Sequence, residues 1–325
     1  MKFRWLRVLV QLAVGAVILL YLLQLADMRK VFSILLRVNP VNVLLASLLF
    51  ILASIFVGVA LYIPIKSTEN SSPMVKVIQA NFAGQLLSDM TPARSGYFAT
   101  PLVLKELCNI PLEKGLASVL VTGFINSFVR VILSAIAILF FITFLPLSQS
   151  ILSILIIGIF FLLIASIIFL IILVEKRILK LIAVFEKIPI IKIVTHKLIE
   201  LISKVQKVKL NIKRQLTWIS LLILLSMIAN AIALQFISDG LGFRSLNFME
   251  LLFVVTLVSS LMYIPFTIAG LGIQETAYVL LLTLLSMPFE TAVAFAILTR
   301  ALFTGTDIIG LPILMKVGFK NIKKK

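Results

Sequence analysis

The chain carries a single cysteine and a single histidine in 325 residues. Cys108 has no second cysteine for an intrachain disulfide, and with His196 it leaves no zinc-type ligand set. Carboxylates are sparse too, with 13 Asp and Glu against 30 Lys and Arg. They form no Asp-Asp-x-x-Asp run, and no Gly-x-x-x-x-Gly-Lys-Ser/Thr phosphate loop occurs. The expectation is a protein with no metal, no cofactor and no ATP hydrolysis, and not an enzyme. Charged residues make up only 13% of the chain, against about 25% in soluble domains, so a soluble fold is excluded.

Apolar residues fill the gap. They account for 61% of the chain, and the mean hydropathy is +1.18. The apolar runs are continuous, where a transmembrane β-barrel would alternate over segments of about ten residues. The fold class is therefore all-α, a polytopic helical membrane protein with one integral membrane domain over residues 1–325. Val8 to Leu25 follows Lys2, Arg4 and Arg7. At about 18 residues, with no Ala-x-Ala site after it, it reads as an uncleaved first span. Val41–Ile63, Gly115–Phe144, Ile151–Val174, Trp218–Ile237 and Thr291–Met315 bring the expectation to about six full spans.

Residues 175–215 hold eleven Lys and Arg against three Glu. Apolar residues keep helical spacing there (Ile178, Ile182, Phe185; Leu198, Leu201, Ile202, Val205), divided by Pro189. This reads as a basic amphipathic segment in the cytoplasmic interface. With Lys316, Lys320 and Lys323 to Lys325, it puts both termini in the cytoplasm of a multi-pass cell-membrane protein. No nucleic-acid-binding motif accompanies the charge, so the expected partners are membrane lipids and not nucleic acid.

Two segments break the apolar pattern. Residues 74–108 are too short on either side of Asp89-Met-Thr-Pro92-Ala-Arg94-Ser-Gly96 to span. Residues 247–287 are interrupted by Pro265-Phe-Thr-Ile-Ala-Gly270-Leu-Gly272-Ile-Gln-Glu275. Proline and glycine beside ionisable groups mark irregular backbone at membrane depth, which survives only where protein or a water-filled cavity satisfies it. Paired breaks in the two halves of a membrane protein point to a transport site. Keeping the basic segments inside makes the first a re-entrant hairpin from the cytoplasm and the second one from outside. If the second instead crosses twice, the chain has eight crossings.

The second break, followed by Arg300, resembles the signature of the lysylphosphatidylglycerol synthase transmembrane-region family, also called flippase-like membrane proteins. Thr91-Pro92-Ala-Arg94-Ser-Gly96-Tyr97, followed by Lys105-Glu106, is similar to that family's other segment. Two positions depart from the pattern. Ala269 replaces a glycine, and Tyr97 replaces a carboxylate, which weakens ion binding at the first break. The resemblance implies movement of a lipid between leaflets. In multiple peptide resistance factors such a domain flips aminoacylated phosphatidylglycerol and is fused to an aminoacyl-transferase. Some archaeal relatives carry a glycosyltransferase. Here the chain ends at Lys325, so a stand-alone member is expected, and a separately encoded synthase or glycosyltransferase is a possible partner.

The candidate substrate-binding residues are Glu275, Arg300, Arg130, Arg94, Asp307 and Asp89. A charge at the bilayer centre costs about 2.5–3.5 kcal/mol on insertion scales, so each needs a reason. Glu275 is either a headgroup or proton site, or a hydrogen-bonded carboxylate fixing the break, with Arg300 its natural partner. Thr122, Asn126, Arg130 and Ser134 share a helix face. Arg130 suits a lipid phosphate, because its planar fork binds oxygens bidentately. Its alternative is an internal ion pair with Asp89 or Glu275. Arg300, Thr304 and Asp307 share another face, with Arg300 and Asp307 about 10 Å apart, so each requires a partner on a different helix. Arg94 is a phosphate candidate or a snorkelling arginine. Asn230 and Gln235 read as interhelical contacts.

A lipid flippase or transporter, moving an anionic or polyprenyl-linked lipid, is the leading reading. A scaffold for a separate lipid-modifying enzyme and an intramembrane lipid-phosphate enzyme are the alternatives.

Overall fold

The computed structural model describes the whole chain except residues 1, 69–71, 145–147, 176, 178, 180–191, 209–211, 269 and 323–325. Among the described residues it contains helices and no named strand. The helices are α1 (Lys2–Leu25), α2 (Met28–Leu36), α3 (Pro40–Thr68), α4 (Met74–Asp89), α5 (Thr100–Cys108), α6 (Leu112–Phe144) and α7 (Gln149–Val174). They continue as α8 (Lys192–Lys207), α9 (Ile212–Gly240), α10 (Phe248–Leu261), α11 (Ile273–Leu284), α12 (Phe289–Asp307) and α13 (Leu311–Ile322).

Five stretches are long and apolar enough to cross a membrane: α3, α6, α7, residues 215–240 of α9, and 289–318 through α12 and α13. A sixth is possible if α1 and α2, bent by 91° at their junction, count as one span. The bend has a local cause. Asp27 caps α2, its carboxylate accepting the Arg29 and Lys30 backbone N–H groups, and so restarts the helix in a new direction. The chain is an all-α polytopic membrane protein. Of the basic segment, Ile178, Ile182 and Phe185 lie outside the described residues. In α8, Ile202 and Val205 are buried while Lys204 and Lys207 are exposed.

Both breaks are set between packed helices. Around the first, Leu61 and Ile65 of α3 pack with Val77, Ala80 and Ala83 of α4 and with Val103 and Leu104 of α5. Around the second, Leu257, Leu261 and Ile264 join the largest apolar cluster with Tyr278, Leu281 and Phe295. Each irregular stretch is thus flanked by packed helices, while Ser95 at the first tip and Pro265 and Phe266 at the second stay exposed.

Candidate functional site

The first break is a compact turn between α4 and a 3-10 turn at Ser95–Ala99. The Thr91 hydroxyl accepts the Gly96 N–H at 2.6 Å. Ala93 and Arg94 both take left-handed backbone, at φ 50° and 55°, an uncommon state for residues with a Cβ. Gly96 lies so close to α4 that a Cβ there would come within 2.1 Å of the Leu87 carbonyl oxygen. The Thr-Pro-Ala-Arg-Ser-Gly order therefore has a purpose at each end: threonine closes the turn and glycine admits it.

The second break is held from three sides. Pro92 and Ile268 form an isolated antiparallel bridge, joining the two tips. Gln11 of α1 donates to the Pro265 carbonyl at 2.8 Å. Gly272, at φ 78°, has the Gly15 carbonyl oxygen of α1 only 2.7 Å from where a Cβ would stand. The Glu275 carboxylate turns back on the break and accepts the Gly272 N–H at 2.7 Å. Ala269 lies outside the described residues.

The candidate residues divide into two groups. Glu275, 2% exposed, pairs with Arg300 at 2.7 Å, and Arg300 also donates to Gln274 Oε1 at 2.7 Å. Asp307 is buried too, with Asp89 and Arg94 among its charged neighbours. Asp89 in turn lies 3.2 Å from the Arg94 guanidinium. None of Glu275, Arg300, Asp89 and Asp307 lines the central cavity. They stand behind its wall.

Arg94 and Arg130 stand on it. The cavity has a volume of about 350 Å³ and lies where the first break, α6, α9, α10 and α11 converge. Arg94 is held there by Ser88 Oγ and Gln85 Oε1, each at 2.9 Å, and its guanidinium lies over the Phe303 ring. Arg130 donates to Asn126 Oδ1 at 2.9 Å and to the Ser259 hydroxyl. The possible ion pairs to Asp89 or Glu275 do not form, because Arg94 and Arg300 occupy those carboxylates. Arg130 is therefore a cation met only by neutral side chains. The cavity lining contains no Asp, Glu or Lys among the described residues.

Other lining residues gave no signal in the sequence. Tyr263, Gln274, Tyr278, Phe98 and Phe303 all face the cavity, yet an aromatic or amide inside an apolar run reads as packing. Tyr97, where a carboxylate was expected, lines the cavity and donates its hydroxyl to Asn81 Oδ1 at 2.7 Å. Asn230 is on the wall as well, with its Oδ1 buried and lacking a donor. Gln235 instead joins α9 to the loop before α10 through the Leu246 carbonyl.

The lysylphosphatidylglycerol synthase TM region matches residues 8–307 of this chain, which takes in both breaks and every candidate residue. The chain belongs to that family. Membership places it among multi-pass membrane proteins of lipid synthesis or flipping. Among curated proteins, none matches it. In this member of the family, the two signature segments are the two sides of one bridged core, and the first of them delivers Arg94 to the cavity wall.

Proposed function

We propose that this protein moves a lipid with a singly charged anionic headgroup between the leaflets of the cell membrane. One observation carries the reading: Arg130 presents an unneutralised guanidinium to a cavity inside the bundle, at the meeting of the two breaks. Arg94 is balanced by Asp89 and Arg300 by Glu275, so Arg130 is the cation on the cavity wall that no ion pair neutralises among the described residues. A cation in a low-dielectric site is costly alone, and a phosphodiester offers it the missing charge and a bidentate fit. The alternating movement is assigned to the halves that carry the breaks. A cationic aminoacyl headgroup would find no carboxylate on this wall. Among the described residues the wall also carries no nucleophile paired with a base, which favours transport over an intramembrane reaction.

The test is translocation of fluorescent phosphatidylglycerol and phosphatidylcholine in proteoliposomes. The parent protein should move the anionic lipid faster than the zwitterionic one. Arg130→Gln should cut that rate at least tenfold while the protein still assembles, and Arg130→Lys should keep part of it. Equal rates for parent and Arg130→Gln would remove the cavity from the account.

A further inference from the structure

The cavity is too small for a whole lipid. Its volume of about 350 Å³ lies at the lower end of the roughly 300–1,000 Å³ range of small-molecule sites. It can hold a headgroup, and the hydrocarbon tails must lie elsewhere. Two of its lining residues show where. Phe98 in the 3-10 turn and Ile168 in α7 line the cavity and yet are 43% and 47% exposed. A large apolar side chain exposed on a membrane-spanning bundle faces lipid tails. The cavity therefore reaches the lipid phase between the first break and α7.

That seam is thin. The helix α7 packs on α6, α8 and α10 and has no extended packing against α4 or α5. The Phe98 and Phe169 rings meet across the seam, edge to face, with centroids 5.5 Å apart at 75°. Phe169 has its place because position 123 is glycine: a Cβ there would come within 3.0 Å of the Phe169 ring. Gly123, Phe169 and Phe98 all line the cavity. The ring pair thus belongs to the same cavity wall as the two guanidiniums.

We propose that the Phe98–Phe169 seam is a lateral portal that seats the hydrocarbon tail of the same lipid whose phosphate Arg130 and Arg94 bind. The tail passes between the 3-10 turn and α7 and stays in the bilayer while the headgroup occupies the cavity. Gly123 gives the Phe169 ring a recess to swing against. This rests on the lipid-moving reading above and adds the site of tail entry, its gate residues and its side of the bundle.

The experiment uses phosphatidylglycerol with a diazirine at the end of one acyl chain, photolysed in vesicles containing the full chain. Phe98 and the 165–169 stretch should be labelled several-fold more than Ile156 and Phe160, which are exposed apolar positions of α7 away from the cavity. The excess should vanish in Arg130→Gln, because bulk lipid does not depend on the headgroup site. Labelling at the seam equal to that at Ile156 and Phe160 overturns the portal. A second arm introduces Phe98→Cys and Phe169→Cys on a Cys108→Ser background and bridges them with a short bismaleimide. The bridge should slow translocation at least tenfold relative to the single-cysteine controls. An unchanged rate overturns the portal and leaves the transport reading standing. Headgroup-dependent labelling in a protein that moves no lipid would uphold the portal and end the transport reading.

Discussion

Glu275 uses both carboxylate oxygens at once: Oε1 lies 2.7 Å from Arg300 Nε, and Oε2 accepts the Gly272 N–H at 2.7 Å. One side chain thereby ties the last long span to the backbone of the second break. Glu275→Gln keeps an acceptor for Gly272 but leaves Arg300 without its carboxylate. Breaking a buried pair costs about 3–5 kcal/mol, whereas removing both charges costs far less. Thermal unfolding in detergent should show Glu275→Gln and Arg300→Gln strongly destabilised and the double variant largely restored. A double variant no more stable than either single one would contradict a scaffolding role and return Glu275 to the substrate site.

Asp89 and Asp307 behave differently, because they are like groups with one guanidinium, that of Arg94, between them. Asp89 Oδ2 and Asp307 Oδ2 are buried without a hydrogen-bond donor among the described residues, so an amide at either position would bring the pair a donor. In Asp307→Asn the amide supplies that donor. Its folded stability should match or exceed the parent's. Asp89→Ala should lose about 3–5 kcal/mol, since it strands Arg94 inside the wall. Comparable losses in both variants would show that the Asp307 charge is needed as such.

Orientation can be tested chemically. The basic surface of α8, where Lys204 and Lys207 are exposed, is expected to face the cytoplasm with both termini. In a Cys108→Ser background, Lys204→Cys should resist an impermeant maleimide in intact cells and react once the membrane is opened. Reaction in intact cells would invert the topology.

The long spans were legible because nothing in them competes with helix. Val41–Ile63 lies inside α3, and Gly115–Phe144 and Ile151–Val174 lie within α6 and α7. The first break was legible for a steric reason, since proline and glycine interrupt the helix where α4 ends at Asp89. Pairing was only partly readable. Arg300 with Glu275 followed from the scarcity of charge near them. Arg94 with Asp89 did not, because it depends on two consecutive left-handed residues reversing the chain. That local pair is also why Arg130 finds no carboxylate. The approach of Asp307 to Asp89 and Arg94 joins distant parts of the chain and leaves no periodic trace.

The bridge between Pro92 and Ile268 gives the last prediction. It makes the tips of the two breaks neighbours, and facing residues in an antiparallel pair have Cα atoms about 4.5–5.5 Å apart, within disulfide range. Pro92→Cys with Ile268→Cys, again without Cys108, should therefore crosslink under mild oxidation. The same bond tests the movement. If the headgroup crosses as the halves rock, the tips must part in each cycle, because the bridge fastens one half to the other. Oxidised protein should then bind phosphatidylglycerol as the reduced protein does, yet translocate it at least tenfold more slowly, with full recovery on reduction. Undiminished translocation by a fully crosslinked protein would mean that the tips move as one body, and the opening would then have to lie between that body and the helices around it.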